Sequence, residues 1–415
     1  MITLYRILTH IAYLLAYPYG FLKARGGAVI WRDRLAIDTD AKPGDLWIHA
    51  ASVGEVKVVS CLVDFLLRSA PKTRILVSVI TSTGYRAACD EFGNRVDVRY
   101  LPADAAVPMR RALGRIQPRM IVIAETEIWP NFILEANRLS IPTILINGRM
   151  SDKAGRRYRW MCGSVSRVLA CHRHFFFKTK EDAERYVVFG VAADRATVAG
   201  DMKFDAPVIE KDPQAIAETR RRAGVAPEAF LLVAGSTRPG EEELLIRELP
   251  DILSHCPRFR LIVAPRHVER AEEIKALIAQ CGHRCSVYDS DQATVAADDI
   301  ILVDRMGVLN ELYAAADLAF VGGTLVDIGG HNLLEPVWVG TPVVYGPSLA
   351  NVLEGATYIE ANQYGRRVQT VEELASVIGA MCRGSLSFRV KTSDDYMHSP
   401  TAVVGAYILK ELRHA

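Results

Sequence analysis

The sequence has little of what marks several common functional classes. Its 415 residues carry a net charge of only +2, and no stripe of interleaved basic and aromatic residues is present, which argues against a nucleic-acid partner. It also lacks low-complexity tracts and internal repeats. With 50% hydrophobic and 24% charged residues, the composition is that of a globular protein, and at this length two domains are the natural expectation.

Cysteines are few and scattered along the chain. Only Cys281 and Cys285 lie close together, with His283 between them. They could contribute to a metal site, but no second cluster supplies the remaining ligands of a structural zinc site, so we predict no metal centre and interpret Gly282 as the end of a helix. Unpaired cysteines in mostly apolar settings predict a reducing compartment.

A long uninterrupted apolar run is missing from the start of the sequence. Residues 2–21 are apolar and aromatic, but Arg6, His10 and Pro18 interrupt them, and a spanning helix usually tolerates fewer polar residues. No small-residue cleavage site follows, which argues against a signal peptide. Tyrosines and downstream basic residues are typical of an anchor whose following domain stays cytoplasmic. We therefore expect a membrane anchor with a basic flank over residues 1–36, with a buried first helix as the alternative.

What the chain does contain is a regular alternation of short apolar runs and helical segments. The runs predicted as strands are 46–50, 75–80, 98–101, 120–124, 143–147, 174–178, 230–235, 260–265, 286–288, 300–303, 318–321 and 343–345. This alternation predicts an α/β protein with two Rossmann-like domains, each a doubly wound parallel sheet, facing a cleft. The domains are expected over residues 37–205 and 206–400 with the crossing near 201–213. A last helix within 401–415 could fold back on the first domain.

The stretch from 317 to 347 is the most informative. A strand-type run precedes a glycine-rich turn, the sequence HNLLEP and a second strand run, which places a loop where open α/β sheets bind ligands. Asn332 is a good N-cap, and the helix expected behind it would direct N–H groups and a positive dipole end toward a phosphate. Glu335 would repel a phosphate and suits a neutral diol such as a ribose. Capping and dipole effects alone also explain both residues.

Candidate catalytic residues follow strands of the first domain. Glu55 lies near a helix start, where the dipole would keep a carboxylate ionised and able to accept a proton, although spacing alone favours a first-turn glutamate without function. Glu125 and Glu127 directly follow a buried strand, at the edge where such sheets place chemistry. Lys203 could neutralise a phosphate or an oxyanion, or be a solvated linker lysine.

Further candidates follow strands of the second domain. Arg266, after the strand that ends at Pro265, can hold a phosphate by two parallel hydrogen bonds. Met306 and Gly307 are expected to open a helix where backbone groups could contact a flat base. Pro239 and the acidic run after it mark a helix start with or without a ligand. Together these signals lie on one edge of one sheet.

In combination, these segments resemble the bacterial Kdo transferases, which move 3-deoxy-D-manno-oct-2-ulosonic acid (Kdo) from CMP-Kdo to a lipid A precursor in lipopolysaccharide biosynthesis. The motifs are SVGE at 52–55, ETEIWPN at 125–131, GDMKFD at 200–205, APRH at 264–267 and FVGGTLVDIGGHNLLEP at 320–336. They span most of the chain in the right order. The resemblance implies the GT-B glycosyltransferase architecture, with an acceptor and catalytic domain first, a nucleotide-sugar-binding domain second, and an N-terminal membrane anchor.

The resemblance also implies residue roles. Glu55 would be the general base of an inverting single displacement, with Glu125 and Lys203 assisting the transition state. CMP would be held by Pro265, Arg266, Met306, Gly307, Val308, Asn332, Leu333, Leu334 and Glu335. No metal or cofactor is implied beyond the donor substrate CMP-Kdo. The implied partners are CMP-Kdo, a lipid A precursor and lipid of the inner membrane, at its cytoplasmic face, without an obligate protein partner. Residues 348–365 differ from the aromatic-rich loop of the family, so no donor contact is assigned there.

Two other functional classes are alternatives, because proteins of these classes can also have two domains of this kind. A nucleotide-sugar epimerase shares the double-Rossmann build but needs no lipid acceptor, so the apolar start of the chain and its basic surface argue against it. A non-catalytic two-lobed binding protein has no use for a carboxylate pair facing a phosphate site. A second basic cluster, over residues 149–159, could extend a membrane-facing surface, meet the acceptor's phosphates, or be a solvated helix face.

Overall fold

A computed structural model describes residues 1–37, 43–205, 211–289 and 299–414. The chain forms two compact units, the first comprising Met1–Asp205 and Tyr396–Ala415 and the second Ala206–Asp395. Each unit is built on a seven-stranded sheet, and the strand pairings in the described residues are all parallel. The prediction of two parallel-sheet α/β domains is confirmed. Residues 206–210, within the predicted crossing, lie outside the described residues.

The order of the strands reverses once in each sheet. The strands are β1 Leu46–His49, β2 Ile75–Val79, β3 Asp97–Tyr100, β4 Met120–Ala124, β5 Thr143–Gly148, β6 His172–Phe177, β7 Ala196–Val198, β8 Phe230–Thr237, β9 Phe259–Pro265, β10 Cys285–Val287, β11 Ile300–Leu302, β12 Leu318–Val321, β13 Val343–Tyr345 and β14 Gly365–Arg367. The first sheet runs β3-β2-β1-β4-β5-β6-β7 and the second β10-β11-β9-β8-β12-β13-β14. The reversals fall between β1 and β4 and between β8 and β12, and ligands bind at such switch points.

Helices alternate with these strands. They are α1 Ile2–Arg25, α2 Val29–Arg34, α3 Val53–Ser69, α4 Ser82–Phe92, α5 Ala106–Ile116, α6 Pro130–Arg138, α7 Asp152–Trp160, α8 Cys162–Leu169, α9 Lys180–Val187, α10 Pro213–Arg222, α11 Glu241–Arg247, α12 Leu249–His255, α13 Ala271–Gln280, α14 Leu309–Ala315, α15 Leu334–Trp338, α16 Leu353–Ala361, α17 Val371–Cys382, α18 Ser393–Met397 and α19 Pro400–His414. Short 3-10 turns cover Ala193–Arg195, Met202–Phe204 and Val268–Arg270.

Burial on both sides explains why the central strands are apolar throughout. In β1, Leu46 and Ile48 belong to the core that contains α3, while Trp47 belongs to the core on the opposite face, with α5 and α6. Successive side chains of a strand point to opposite faces, so a sheet covered by helices on both faces needs apolar residues at every position. This pattern made the central strands predictable.

The last helix belongs to the first unit and packs on α3. Its Gly405 lies against the Phe65 ring, and a Cβ at this position would come within 2.3 Å of that ring. The Thr401 N–H donates to Asp205 Oδ2 at 2.7 Å. Because α19 fills part of the core beside β1, the C-terminal residues support the unit that carries Glu55.

The first helix, α1, is docked on the first unit by polar contacts. The Tyr5 hydroxyl donates to Asp104 Oδ2 at 2.8 Å. Arg6 pairs with the buried Glu135, which also accepts from Arg110 Nε at 2.6 Å. None of the helices in the described residues is both long enough and apolar enough to cross a membrane.

The expectation that the cysteines are all unpaired is wrong for one pair. Cys256, at the end of α12, and Cys382, at the end of α17, form a disulfide with a Cα–Cα distance of 5.8 Å. They are 126 residues apart in sequence, and only the packing of α12 against α17 brings them together. The inference of a reducing compartment from unpaired cysteines therefore loses its basis.

Candidate active site

Glu55 lies in the first turn of α3, directly beyond β1 and beside the switch point of the first sheet. Its Oε2 accepts a hydrogen bond from the Ala51 N–H at 2.8 Å and its Oε1 accepts one from the Ser52 hydroxyl at 3.0 Å. The Glu55 N–H in turn donates to Ser52 Oγ at 3.4 Å. The SVGE segment is thus a variant of the capping box, and it fixes the orientation of the carboxylate of Glu55, a residue that is only 6% exposed.

The environment of Glu55 raises its pKa to about 7. Burial is the largest cause, and the charges of Glu127 and Glu125 act in the same direction, while the hydrogen bonds from Ala51 and Ser52 oppose them. A helix dipole favours the ionised form, as predicted from the sequence, but burial outweighs this local stabilisation. The correction strengthens the case for proton transfer, because a general base works best with a pKa near the operating pH.

Glu125 and Glu127 follow β4, the neighbour of β1. Glu125 has φ of 56°, a left-handed conformation that is uncommon for residues other than glycine and is concentrated at functional sites. Its Oε2 lies 2.9 Å from Nη2 of Arg149. Burial raises the pKa of Glu127, and the Glu125 charge adds to the shift. Both carboxylates therefore contribute to the raised pKa of Glu55.

Lys203 lies in the 3-10 turn Met202–Phe204, which packs against α3. Asp201 Oδ1 accepts from the Lys203 N–H at 3.0 Å, and Asn147 Oδ1, near the end of β5, accepts from the Met202 N–H at 3.0 Å. The turn is therefore fixed to the sheet edge that carries Glu125. The Lys203 side chain itself is exposed, so its role in transfer stays a prediction.

In the second unit, Arg266 and Glu335 come together at the other switch point. The Arg266 N–H donates to Thr237 O at 3.1 Å, which ties the end of β9 to that of β8. Asn332 Nδ2 donates to Glu335 Oε1 at 3.2 Å. Burial raises the pKa of Glu335, while Asn332 and the Arg266 charge oppose the shift. The side chains of Leu333 and Leu334 are buried, so these two residues can offer a ligand only their main chain.

Two expected helix starts are displaced. The helix expected at Asn332 begins at Leu334 and is five residues long, although Asn332 Oδ1 does accept from the Leu334 N–H at 3.2 Å. Since aligned peptide dipoles add along a helix, this short helix gives a phosphate little dipole stabilisation. The helix expected at Met306 begins at Leu309, so Met306, which is 65% exposed, and Gly307 precede it in a loop.

Glu241 was missed as a site residue because it was read only as part of an acidic helix start. Its buried carboxylate accepts hydrogen bonds from the backbone N–H groups of Arg238, Gly323, Thr324 and Leu325, at 2.9, 2.7, 3.0 and 2.9 Å. In the glycine-rich loop, the N–H groups of Gly323, Thr324 and Leu325 thus donate to a carboxylate of the protein itself. Glu241 joins the loops that follow β8 and β12.

Arg238 and two histidines complete the cluster, and the sequence analysis assigned a role to none of them. Arg238 Nε donates to His331 Nε2 at 3.0 Å, and Arg238 Nη1 lies 2.8 Å from His267 Nε2. The three residues come from the loops after β8, β9 and β12. The available signal for Arg238 and His267 was their position two or three residues after predicted strands, whereas His331 lies farther along the glycine-rich loop.

Comparisons with known proteins decide the family. The sequence model of the 3-deoxy-D-manno-octulosonic-acid transferases (kdotransferases) matches residues 30–206. A 3-deoxy-D-manno-octulosonic acid transferase of Chlamydophila psittaci is 33% identical over 305 residues, which cover 73% of this chain and 69% of that protein. The chain belongs to the Kdo transferase family. Its members are glycosyltransferases, and the resemblance seen in the motifs is confirmed.

Two further matches show how far function can be inferred from membership of the Kdo transferase family and from the fold. A bifunctional glycosyltransferase/methyltransferase of Fusobacterium nucleatum is 34% identical over 90% of this chain, which spans only 58% of that longer protein. Among solved structures, the UDP-GlcNAc 2-epimerase from Neisseria meningitidis is 11% identical and aligns with a TM-score of 0.51 over 88% of this chain and 99% of the epimerase. At that identity the likeness shows the fold alone. Sequence, not fold, therefore separates a Kdo transferase from an epimerase.

Proposed function

We propose that this member of the Kdo transferase family moves Kdo from CMP-Kdo to a sugar hydroxyl of a lipid A precursor in lipopolysaccharide biosynthesis. The observation that best supports it is the buried Glu55 carboxylate, oriented by two hydrogen bonds and with its pKa raised to about 7, beside a sheet switch point. Such a group is poised to accept a proton at neutral pH.

The proposed reaction is a single displacement. Glu55 takes the proton of the acceptor hydroxyl while that oxygen bonds to the anomeric carbon of Kdo. The bond from this carbon to the phosphate oxygen breaks, and its electron pair leaves with CMP. Arg266 and Lys203 would stabilise the leaving phosphate, and Glu125, fixed by Arg149, would assist the transition state. The anomeric configuration inverts, which NMR of the glycosidic linkage in the product tests directly.

Donor binding is assigned to the second unit. Arg266, with Pro265, would hold the phosphate, and Glu335, fixed by Asn332, would accept hydrogen bonds from the ribose hydroxyls. The main chain of residues 306–308 and 333–334 would contact the base and the ribose. The first unit supplies the base and the second the nucleotide contacts, so transfer requires both. The proposal includes no bound metal.

The pKa of Glu55 predicts the pH dependence of transfer. Because Glu55 accepts a proton only when ionised, kcat/KM should rise with pH, by about tenfold per unit below pH 7, and level off above it. In the Glu127→Gln variant the midpoint should move to lower pH, because one of the charges that raise the Glu55 pKa is removed. A wild-type profile that stays flat from about pH 5.5 to 8 would contradict the role of Glu55.

We further propose that α1 places the enzyme on the cytoplasmic face of the bacterial inner membrane. One side of this helix packs on the first unit through Tyr13 and Gly20, while the opposite side exposes apolar side chains at helical spacing: Leu4, Ile7, Leu8, Ile11, Leu14, Leu15, Tyr19 and Leu22. A helix of this kind lies in the plane of the membrane interface. Basic residues at its end, Lys23 and Arg25, would add attraction to anionic headgroups.

Substituting Leu8 and Leu15 with Gln should release the protein from membranes. These side chains are 56% and 78% exposed, so the change removes apolar area from the lipid contact without disturbing the packed side of α1. We expect at least about a tenfold loss of binding to anionic vesicles at high salt. Leu353→Gln, at a leucine 61% exposed in the second unit, is the matched control and should bind like the wild type. If the unmodified chain washes off with salt alone, the anchoring proposal is wrong.

A further inference from the structure

The guanidinium of Arg238 is held by two histidine rings. Its Nε donates to His331 Nε2 at 3.0 Å and its Nη1 to His267 Nε2 at 2.8 Å. A guanidinium has no acceptor atom, so both rings must accept through Nε2 and hold their proton on Nδ1. For His267 this tautomer fits, since its Nδ1 lies 3.1 Å from Glu269 Oε1. Burial and the charges of Arg238 and Arg266 lower the pKa of His331, which keeps that ring neutral.

The positive charge of Arg238 is therefore not neutralised by an ion pair. Within the part of the chain that the structure describes, no carboxylate pairs with its guanidinium. Other partly buried arginines of the same unit do have one: Arg220 lies 2.8 Å from Asp317, and Arg270 lies 2.9 Å from Glu242. Charged groups away from water are normally paired, so a half-buried arginine held by imidazole nitrogens, and not by a carboxylate, is suited to an anionic ligand.

The backbone around Arg238 is fixed in place. Glu241 accepts from the N–H of Arg238 and from that of Gly323, so one carboxylate joins the loops after β8 and β12. The His331 ring rests on Gly323, where a Cβ would come within 3.2 Å of it and where φ is 72°. The guanidinium is thus oriented before any ligand arrives, and such preorganisation lowers the entropic cost of binding.

We propose that Arg238 forms a second anion subsite, beside Arg266, that binds the carboxylate of the transferred sugar acid. This inference rests on the proposed function and deepens it. The donor has two anionic groups, the phosphate and the sugar carboxylate. With Arg266 assigned to the phosphate, Arg238 is left for the carboxylate, which a guanidinium binds through parallel N–H groups. A neutral sugar would leave the Arg238 charge without a partner, so the subsite selects acidic sugars.

The test compares ligands with and without the carboxylate in the Arg238→Gln variant. CMP lacks that group, so its Kd by calorimetry should stay within about twofold of wild type, whereas the KM for CMP-Kdo should rise about 10- to 100-fold, the range for a lost hydrogen bond to a charged group. Arg238→Lys keeps the charge but not the paired N–H groups, so its KM for CMP-Kdo should lie between those of the wild type and Arg238→Gln. Arg247→Gln, an exposed arginine paired with Glu243 in α11, is the control and should change neither value.

Two results would overturn the subsite. An unchanged KM for CMP-Kdo would show that Arg238 does not contact the sugar acid. An equal loss of CMP affinity in the Gln and Lys variants would show that Arg238 supports the fold or the phosphate site instead. A binding measurement separates this inference from the proposed function, because CMP-Kdo should displace CMP more effectively from the wild type than from Arg238→Gln even if no transfer occurs. If that difference holds without transfer, the proposed function fails and the subsite stands.

Discussion

Replacing Glu55 with Gln should abolish sugar transfer while CMP affinity remains nearly unchanged. The amide keeps the size of the side chain, and its oxygen can still accept from the Ala51 N–H, which the carboxylate now binds at 2.8 Å. What it cannot do is take a proton from the acceptor hydroxyl. Loss of a general base typically lowers the rate by about 10²- to 10⁴-fold. The proposed nucleotide contacts lie in the other unit, so calorimetry with CMP should give the wild-type Kd.

A structural role of Glu55 is the alternative that needs a control, because Glu55 and Ser52 cap α3. Ser52→Ala removes the cap, at a cost of about 1 kcal/mol of stability, and one of the two hydrogen bonds that orient Glu55, but it leaves the proton acceptor in place. We expect this variant to melt at a lower temperature and to lose much less kcat than Glu55→Gln does. If Glu55→Gln retained a rate within about tenfold of the wild type, Glu55 would lose its assignment as the base.

Arg266→Ala and Glu335→Ala should each weaken nucleotide binding, but with different ligand selectivity. Removal of Arg266 should lower the affinity for CMP by about 10- to 100-fold and leave that for cytidine unchanged, since the lost partner is the phosphate. Removal of Glu335 should reduce the preference for CMP over dCMP, since the lost partner is a ribose hydroxyl. Calorimetry with CMP, dCMP, cytidine and deoxycytidine measures both effects.

The four ligands also provide the internal control for these two variants. A variant that loses affinity equally for all of them has a destabilised second unit. The structure gives a reason to check this, because Asn332 bonds both to Glu335 and to the Leu334 N–H, so Glu335→Ala could loosen the loop. Equal losses for both variants would contradict the assignment of the phosphate to Arg266 and of the ribose to Glu335.

The central strands of both sheets were predictable because their residues are apolar on both faces. β4, β12 and β13 have the expected bounds. The edge strands β7 and β14 were not predicted. They pair on one side only, and their residues, such as the two exposed arginines of β14, do not need to be apolar. The hydrophobic pattern indicates which segments are buried, and an edge strand can form although few of its side chains are buried.

The positions of candidate site residues were predictable where these residues follow the end of a strand. They were not predictable where they depend on contacts between distant segments. Glu55, Glu125 and Arg266 directly follow predicted strands or lie a few residues beyond them. The role of Glu241 depends on loops 82 to 84 residues away, and the raised pKa of Glu55 depends on burial that follows from packing. Asn332 shows a limit of local signals, because a capping side chain does not determine the length of the helix behind it.

Lipid-dependent release of CMP from CMP-Kdo is the measurement that tests the proposed function most directly. The purified protein is incubated with CMP-Kdo, with and without a lipid A precursor, and CMP is quantified together with the glycosylated lipid. We predict CMP release only when the lipid is present, in equal amount to the Kdo attached to the lipid, and at least about 100-fold slower with Glu55→Gln. CMP release at the same rate without lipid, or no Kdo-bearing lipid product, would contradict the assignment.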